Sequence, residues 1–161
     1  MTKKANRVAA GTLDGLDAWG GDSIGLFLFS DQKPLAGVAG FVDWRACGAL
    51  SRTLENALFN AGRGESMLLP TRMRAAFRRI FVFGLGVTQE CDEGIYRNEL
   101  RKAARIMRDA GVTDLAIAAP ASRKQKGVEL TFVKAAASAV AHELHVIFVE
   151  QPTDEMAALF A

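Results

Sequence analysis

The residues of this chain that could most readily hold a metal ion are its two histidines. They stand in the run His142-Glu143-Leu144-His145. A zinc-protease helix carries the pattern His-Glu-x-x-His, which places its histidines four positions and about one helical turn apart. Here the spacing is three, and the neighbouring residues suggest no third ligand. We therefore predict no metal site and place both imidazoles at the C-terminal end of a helix, where the helix dipole favours positive charge.

Two glycine-containing loops have the residue types of anion-binding sites. Gly-Leu-Gly at positions 84–86 follows an apolar strand, and Gly-Val-Ala-Gly at positions 37–40 opens a helix. Free N–H groups at a helix N-terminus attract anions, but the dinucleotide fingerprint needs a third glycine where this chain has Gln89. The alternative is that these glycines only allow tight turns. The candidate ligand-binding residues are Gly37, Gly40, Gly84 and Gly86.

A short segment rich in arginine is the main cluster of charge. It contains Arg72, Arg74, Arg78 and Arg79. Clustered arginines can bind a phosphate backbone, but this segment does not alternate its cations with the aromatic residues that stack on bases. The net charge of +2 is also too small to indicate nucleic acid. We predict that these arginines lie at a protein interface or on a solvated surface.

The predicted helix over residues 40–58 carries a second group of polar residues. Ser51 has no histidine close in sequence that could activate it, so we do not interpret it as a nucleophile. The run Asp43-Trp44-Arg45 comes one to two helical turns earlier. We predict that Trp44 packs against the rest of the domain and that Asp43 and Arg45 pair at the surface.

Length and composition limit the class of protein. A chain of 161 residues, half of them hydrophobic, is long enough for one domain with a full core. Its two cysteines cannot form a disulfide framework. The basic N-terminal residues precede no apolar signal segment, and no apolar run reaches transmembrane length. We therefore expect a single domain over residues 1–161, located in the cytoplasm and not bound to a membrane.

Strand and helix patterns alternate along the chain. Continuous apolar runs predict buried strands, and apolar residues at helical spacing predict amphipathic helices. This alternation favours an α/β fold, a three-layer sandwich in which helices flank a mixed, mostly parallel sheet. The predicted strands cover residues 7–10, 24–29, 66–69, 80–83, 115–119 and 146–149, and the predicted helices cover residues 40–58, 92–110, 129–144 and 154–160.

The segments between Gly25 and Gly86 resemble the N-terminal domain of the leucyl aminopeptidases, peptidase family M17. They read GLFLFS, DQKPLAGVAGFVDWRACGALSRTLENALF, GRGESMLLP and RRIFVFGLG. The resemblance implies a macro-domain-like fold. It also implies that the two-metal catalytic site belongs to another domain, whose Asn-Thr-Asp-Ala-Glu-Gly-Arg signature has no counterpart here. We therefore predict no catalytic residue, no metal and no cofactor.

Three functions are compatible with these observations. The first is a stand-alone, non-catalytic relative of the aminopeptidase domain that acts through protein binding or assembly. Its partner would be another copy of itself, a full-length aminopeptidase or a different protein. The second is a macro-like module that binds a nucleotide or an ADP-ribose-type ligand at the glycine loops. The third is one half of a split or truncated metallo-aminopeptidase.

The C-terminal residues 154–161 form a possible docking helix. Pro152 breaks the preceding strand, and Asp154 is placed to cap the new helix. An isolated helix of this length is marginal in water, so packing must stabilise it. We predict that it docks either on its own domain or on a partner chain, through an apolar face formed by Met156, Leu159 and Phe160.

Overall fold

The computed structural model describes residues 7–71 and 77–161, which form a six-stranded sheet between two layers of helices. The strands are β1 (Val8–Ala10), β2 (Ser23–Phe29), β3 (Ser66–Pro70), β4 (Arg79–Gly86), β5 (Leu115–Ala118) and β6 (Leu144–Val149). The helices are α1 (Leu13–Ala18), α2 (Gly37–Arg45), α3 (Ala49–Glu55), α4 (Glu93–Asp109), α5 (Val128–Ala139) and α6 (Asp154–Ala158), with a 3-10 turn at Thr88–Glu90.

The spatial order of the strands is β1-β6-β5-β2-β4-β3. All neighbouring strands are parallel except β3, which runs antiparallel to β4 at one edge of the sheet. Because parallel strands need crossover connections, the helices between them cover both faces of the sheet. The predicted α/β sandwich with a mixed, mostly parallel sheet is confirmed.

Strand β2 shows why the apolar runs could be recognised. All of its residues are buried, and successive side chains point to opposite faces of the sheet. Phe27 and Phe29 pack in the layer that contains α4 and α5, and the Phe27 ring centre lies 4.9 Å from that of Phe132. Leu26 and Leu28 pack in the layer that contains α2 and α3. A strand covered on both faces is apolar throughout, which is the pattern seen in the sequence.

Helix α4 follows its sequence signals closely. The carboxylate of Asp92 accepts a hydrogen bond from the Ile95 N–H at 2.8 Å and caps the first turn. Gly111, at φ +85°, follows the helix and allows the chain to turn away. The face of α4 that points away from the core is polar. None of the described helices combines the length and the apolar character needed to cross a membrane.

The predicted helix over residues 40–58 is two helices. The chain turns between α2 and α3 at Cys47 and Gly48, which have φ values of +55° and +75°. A residue with positive φ cannot continue a right-handed helix, so α2 ends just before this pair. The prediction of a single helix was wrong because the apolar residues on both sides of the turn keep helical spacing.

Helix α5 also ends earlier than predicted, at Ala139, and this changes the placement of the histidines. His142 lies in the turn that follows the helix, and His145 lies in β6. The His145 ring stands edge to face with Trp19, with 4.7 Å between ring centres. Neither histidine therefore caps the end of a helix.

The C-terminal helix α6 docks on its own domain. Met156 is buried in the core formed with α4 and α5, and Phe160 packs against the same core. Leu159 remains 37% exposed. The cap is Thr153, whose hydroxyl accepts a hydrogen bond from the Met156 N–H at 3.2 Å. The cap predicted at Asp154 is therefore one residue too late.

Candidate functional site

The loops that follow the parallel strands β2, β4 and β5 meet at the carboxyl ends of these strands. Two side chains connect the loops. The carboxylate of Asp31 accepts hydrogen bonds from the Thr88 N–H and hydroxyl, at 3.1 and 2.7 Å. The amide of Gln32 accepts from the Arg123 N–H at 2.9 Å and donates to the Pro34 carbonyl at 3.1 Å. Partial burial alone would raise the pKa of Asp31, but the bonds from Thr88 outweigh it and hold that pKa below its ordinary value.

A polar cleft of about 480 Å³ opens at the same carboxyl end of the sheet, between the β5–α5 loop and the end of β6. It contains the basic residues Arg123, Lys124 and Lys126, together with acidic residues. The Lys124 ammonium lies 3.5 Å from the Asp31 carboxylate. Glu129 accepts hydrogen bonds from the N–H groups of residues 150 and 151, at 2.8 and 3.3 Å. Burial nevertheless raises the pKa of the Glu129 carboxyl. The chain's own carboxylates thus satisfy donors that an anion would use.

The four candidate glycines lie in different environments. Gly37, at φ +61°, begins α2, and a Cβ atom there would stand 2.8 Å from the Cβ of Ala121. Gly40 lines a separate apolar cleft. Gly84 and Gly86 pack against residues 61–63. Position 84 therefore requires glycine because other backbone atoms approach it closely, and position 86 favours glycine because its φ is positive. Ligand binding by these glycines stays a prediction.

An apolar cleft of about 640 Å³ lies between the loop after β2 and the α2–α3 turn. Its walls include Pro34, Leu35, Gly40, Trp44 and Cys47. We call this cleft, together with the exposed faces of Phe41 and Trp44, the α2–α3 surface.

Trp44 is 66% exposed, so the prediction that it packs against the rest of the domain was wrong. The reason lies in the helix geometry. Val38 and Val42, one turn apart, occupy the face of α2 that contacts the sheet. Phe41 and Trp44 are three residues apart and share the adjacent, solvent-facing side. A large indole is thereby exposed beside an apolar cleft.

Asp43 fixes α3 relative to α2. Its buried carboxylate accepts hydrogen bonds from the N–H groups of Leu50 and Ser51, at 2.8 and 3.2 Å, and from the Ser51 hydroxyl. Helix α3 has no side-chain cap of its own at Gly48, so Asp43 satisfies the donors of its first turn. Asp43 therefore links the two helices that form walls of the cleft.

Arg45 pairs with Asp17 of α1 and not with Asp43 as predicted. Its guanidinium carbon also lies 5.3 Å from the centre of the Trp44 ring, within the range of a cation–π contact. Since Asp43 points inward to cap α3, it is unable to serve as a surface partner. Arg45 instead contacts both Asp17 of α1 and the indole of Trp44.

Only part of the predicted arginine interface lies within the residues that the structure describes. Arg72 and Arg74 lie outside the described residues. Arg78 is exposed. Arg79 donates to the Ser23 hydroxyl at 3.0 Å and to the Ala110 carbonyl at 2.8 Å, and so joins the start of β2 to the end of α4. An interface role for this cluster, and for Met156, Leu159 and Phe160, stays a prediction, although Arg79 and Met156 are engaged within the domain.

A metal centre finds no support in the described part of the chain. Within residues 7–71 and 77–161, no three or more histidine, cysteine, aspartate or glutamate side chains form a group able to hold an ion. Of the two regions described above, the polar cleft combines charges of both signs. The α2–α3 surface presents exposed apolar area on a fixed scaffold, and is the stronger candidate.

Comparison with known proteins places these features in a family. The model for the N-terminal domain of the cytosol aminopeptidase family matches residues 24–147. A probable cytosol aminopeptidase from Cyanothece sp. (strain PCC 7425 / ATCC 29141) is 29% identical over 92 residues, which are 57% of this chain and 18% of that protein.

Solved structures give the same result for the fold. A mutant of tomato leucine aminopeptidase superposes with a TM-score of 0.66 at 15% identity, over 95% of this chain and 34% of that one. The Oceanobacillus iheyensis macrodomain with ADP superposes with a TM-score of 0.57 at 15% identity, over 99% and 92% of the two chains. The macro-domain-like fold is confirmed, and the chain spans well under half of either aminopeptidase.

Proposed function

Because this chain belongs to the cytosol aminopeptidase family through its N-terminal domain, we propose that it is a non-catalytic binding domain that assembles with a second copy of itself. The observation that carries the proposal is the exposed indole of Trp44 beside the apolar cleft. Exposed apolar area on a rigid scaffold is typical of protein interfaces, and tryptophan is enriched among the residues that dominate their binding energy.

We choose a second copy as the partner because this surface carries both a projecting side chain and a cleft. A two-fold axis brings the same patch of both chains together, so each residue can contact a different residue of the other copy. The α2–α3 surface carries both a projecting indole and a cleft, and each Trp44 would fill the cleft of the other chain. Charges nearby have both signs, with Arg45 paired to Asp17 and with Arg52 and Glu55 exposed on α3. A copy therefore meets no excess of like charge.

Replacing Trp44 by alanine tests the assembly. We expect the dimer dissociation constant to rise at least about 30-fold, which corresponds to the loss of a hot-spot residue worth about 2 kcal/mol. Sedimentation velocity over a micromolar concentration series measures this change. Ile106→Ala is the matched control, since Ile106 is also an exposed apolar residue but lies on α4, in the opposite helical layer. A parent chain that stays monomeric, or a dimer that tolerates Trp44→Ala, contradicts the proposal.

A nucleotide-binding function is the second candidate, and one observation favours it. The polar cleft carries Arg123, Lys124 and Lys126 at the carboxyl end of the sheet, which is where open α/β sheets bind ligands. The O. iheyensis macrodomain, which shares the fold, has a structure with ADP.

Calorimetric titration with ADP and with ADP-ribose decides between the candidates. We expect no saturable heat, because the cleft also contains Glu129 and Glu150 and because Glu129 already accepts the N–H groups at the end of β6. Saturable micromolar binding that is lost in the double variant Arg123→Ala, Lys126→Ala would instead make nucleotide binding the preferred function. Lys134→Ala, which changes a cation on α5 outside this cleft, is the control for a general loss of charge.

A further inference from the structure

Four arginines lie along one solvent-facing side of α4, and we call them the α4 arginine row. They are Arg97, Arg101, Arg105 and Arg108. At 3.6 residues per turn, these positions fall within about 80° of the helix circumference and extend over about 16 Å of its length. The buried residues of α4 occupy another side of the helix, and the four arginines are partly or largely exposed. The row is therefore a continuous basic surface.

The middle of this row carries charge that the chain does not neutralise. Among the described residues, no acidic side chain lies close enough to Arg101 or Arg105 to form an ion pair. Residues 1–6 and 72–76 contain no aspartate or glutamate, so all acidic side chains of the chain are included in this statement. The two guanidinium groups stand about one turn apart, which is about 6 Å along the helix axis.

Acidic side chains limit the row at both ends. At its start, the Arg97 guanidinium lies 3.3 Å from the Glu93 carboxylate. At its other end, the Arg108 guanidinium lies 2.8 Å from the Glu143 carboxylate. A continuous phosphate backbone would extend past both ends and meet these carboxylates. Helices α4 and α5 also carry no exposed aromatic side chain on which bases could stack. The row therefore suits a short anionic partner better than nucleic acid.

We propose that the α4 arginine row binds an acidic helix of a different protein. Carboxylates four positions apart on such a helix repeat at about 6 Å, the same interval as Arg101 and Arg105. Guanidinium groups pair with carboxylates through two parallel hydrogen bonds, which favours this partner over a diffuse negative charge. Exposed ion pairs are individually weak and are screened by salt, so the complex is of low affinity and depends on ionic strength.

A second copy of the chain is a poor occupant of this row. Two-fold pairing through the same face would place arginine opposite arginine, and like charges across an interface repel. A copy that used another face would need two free carboxylates about one turn apart. None of the described helices carries two unpaired acidic side chains three or four positions apart. The row also lies in the helical layer opposite the α2–α3 surface, so the proposal does not depend on the proposed dimer.

The test uses a capped, alanine-rich helical peptide with glutamate at every fourth position, titrated at low salt into the isotope-labelled full chain. We expect NMR shift changes centred on Arg101 and Arg105. Raising the ionic strength to about 0.5 M should weaken binding about 10-fold, because salt screens exposed charges. The same peptide with glutamine in place of each glutamate should cause no shift.

Two double variants make the test specific. Arg101→Gln, Arg105→Gln removes both free charges and keeps residues that favour a helix. It should weaken peptide binding about 10-fold, as expected for the loss of two exposed ion pairs. Arg123→Ala, Lys126→Ala removes the same charge from the polar cleft and should leave peptide binding unchanged.

Four results would overturn the proposal. Millimolar glutamate peptide may cause no shift on α4, or the glutamine peptide or the α4 variant may bind as tightly as the matched parent. A single-stranded oligonucleotide that displaces the peptide from α4 would make nucleic acid the partner. Shifts of the α4 amide signals with protein concentration, in the absence of peptide, would mean that a second copy occupies the row.

Discussion

Replacing Gly84 by alanine should lower the free energy of unfolding by about 3 kcal/mol, far more than the same change at Gly86. A Cβ atom on Gly84 would lie 2.1 Å from the carbonyl oxygen of Gly62 and 2.6 Å from the carbonyl carbon of Ala61. Both are backbone atoms, so the crowded segment must move as a whole. That movement would also strain the bond from the Gly84 N–H to the Glu65 carbonyl, which is 2.9 Å long.

Gly86→Ala is the matched control because its cost has another origin. Gly86 has a φ of +77°, but its nearest contacts, with Arg63, begin at 3.5 Å. Only the backbone conformation is unfavourable, at a cost of about 1 kcal/mol. Urea denaturation of the two variants measures the difference. If both variants lose the same stability, the close approach at Gly84 is not what limits its substitution.

Deleting residues 154–161 should lower the free energy of unfolding by about 3 kcal/mol and lower the melting temperature without changing the oligomer. The deletion removes the buried side chain of Met156 and the partly buried ring of Phe160 from the core near α5. Burying one such side chain contributes about 1.5–3 kcal/mol when it is complete. Differential scanning calorimetry gives the stability, and light scattering gives the mass.

Two single substitutions within α6 locate the effect. Met156→Ala should reproduce most of the loss, because Met156 is buried, while Leu159→Ala should cost clearly less, because Leu159 is 37% exposed. If the truncated chain keeps its stability but its oligomer dissociates to monomers, α6 docks between chains instead.

The sheet could be predicted because its strands differ in composition from the rest of the chain. Strands β2, β4, β5 and β6 are almost wholly buried, and a strand covered on both faces has no polar face to obscure the pattern. Helix α4 was equally clear, because Asp92 and Gly111 mark its ends. Helix α1 was missed, since its six residues contain a glycine and form fewer than two turns.

The candidate site was not predicted because it depends on a backbone break at Cys47 and Gly48, and the helical spacing of the apolar residues on both sides outweighed the one signal of that break, Gly48. Cys47 adopts a positive φ that is uncommon for a residue with a side chain. Once the chain turns there, Asp43 can reach the first turn of α3, seven positions along the chain. Periodicity describes residues within one helix, and it carries no information about such a contact between helices. The outward direction of Trp44 has another cause, since Val38 and Val42 occupy the face of α2 that contacts the sheet.

The pairing of β1 with β6 has a consequence for synthesis on the ribosome. Val8 lies beside Ile147, so the first strand to emerge must wait for the last strand of the sheet. At elongation rates of about 5–20 residues per second, this interval is on the order of ten seconds. During that time the nascent chain can complete β2, β4 and the helix after them, while one border of the sheet stays open. Folding of this domain should therefore finish with the closing of β1 against β6, once β6 has left the ribosome.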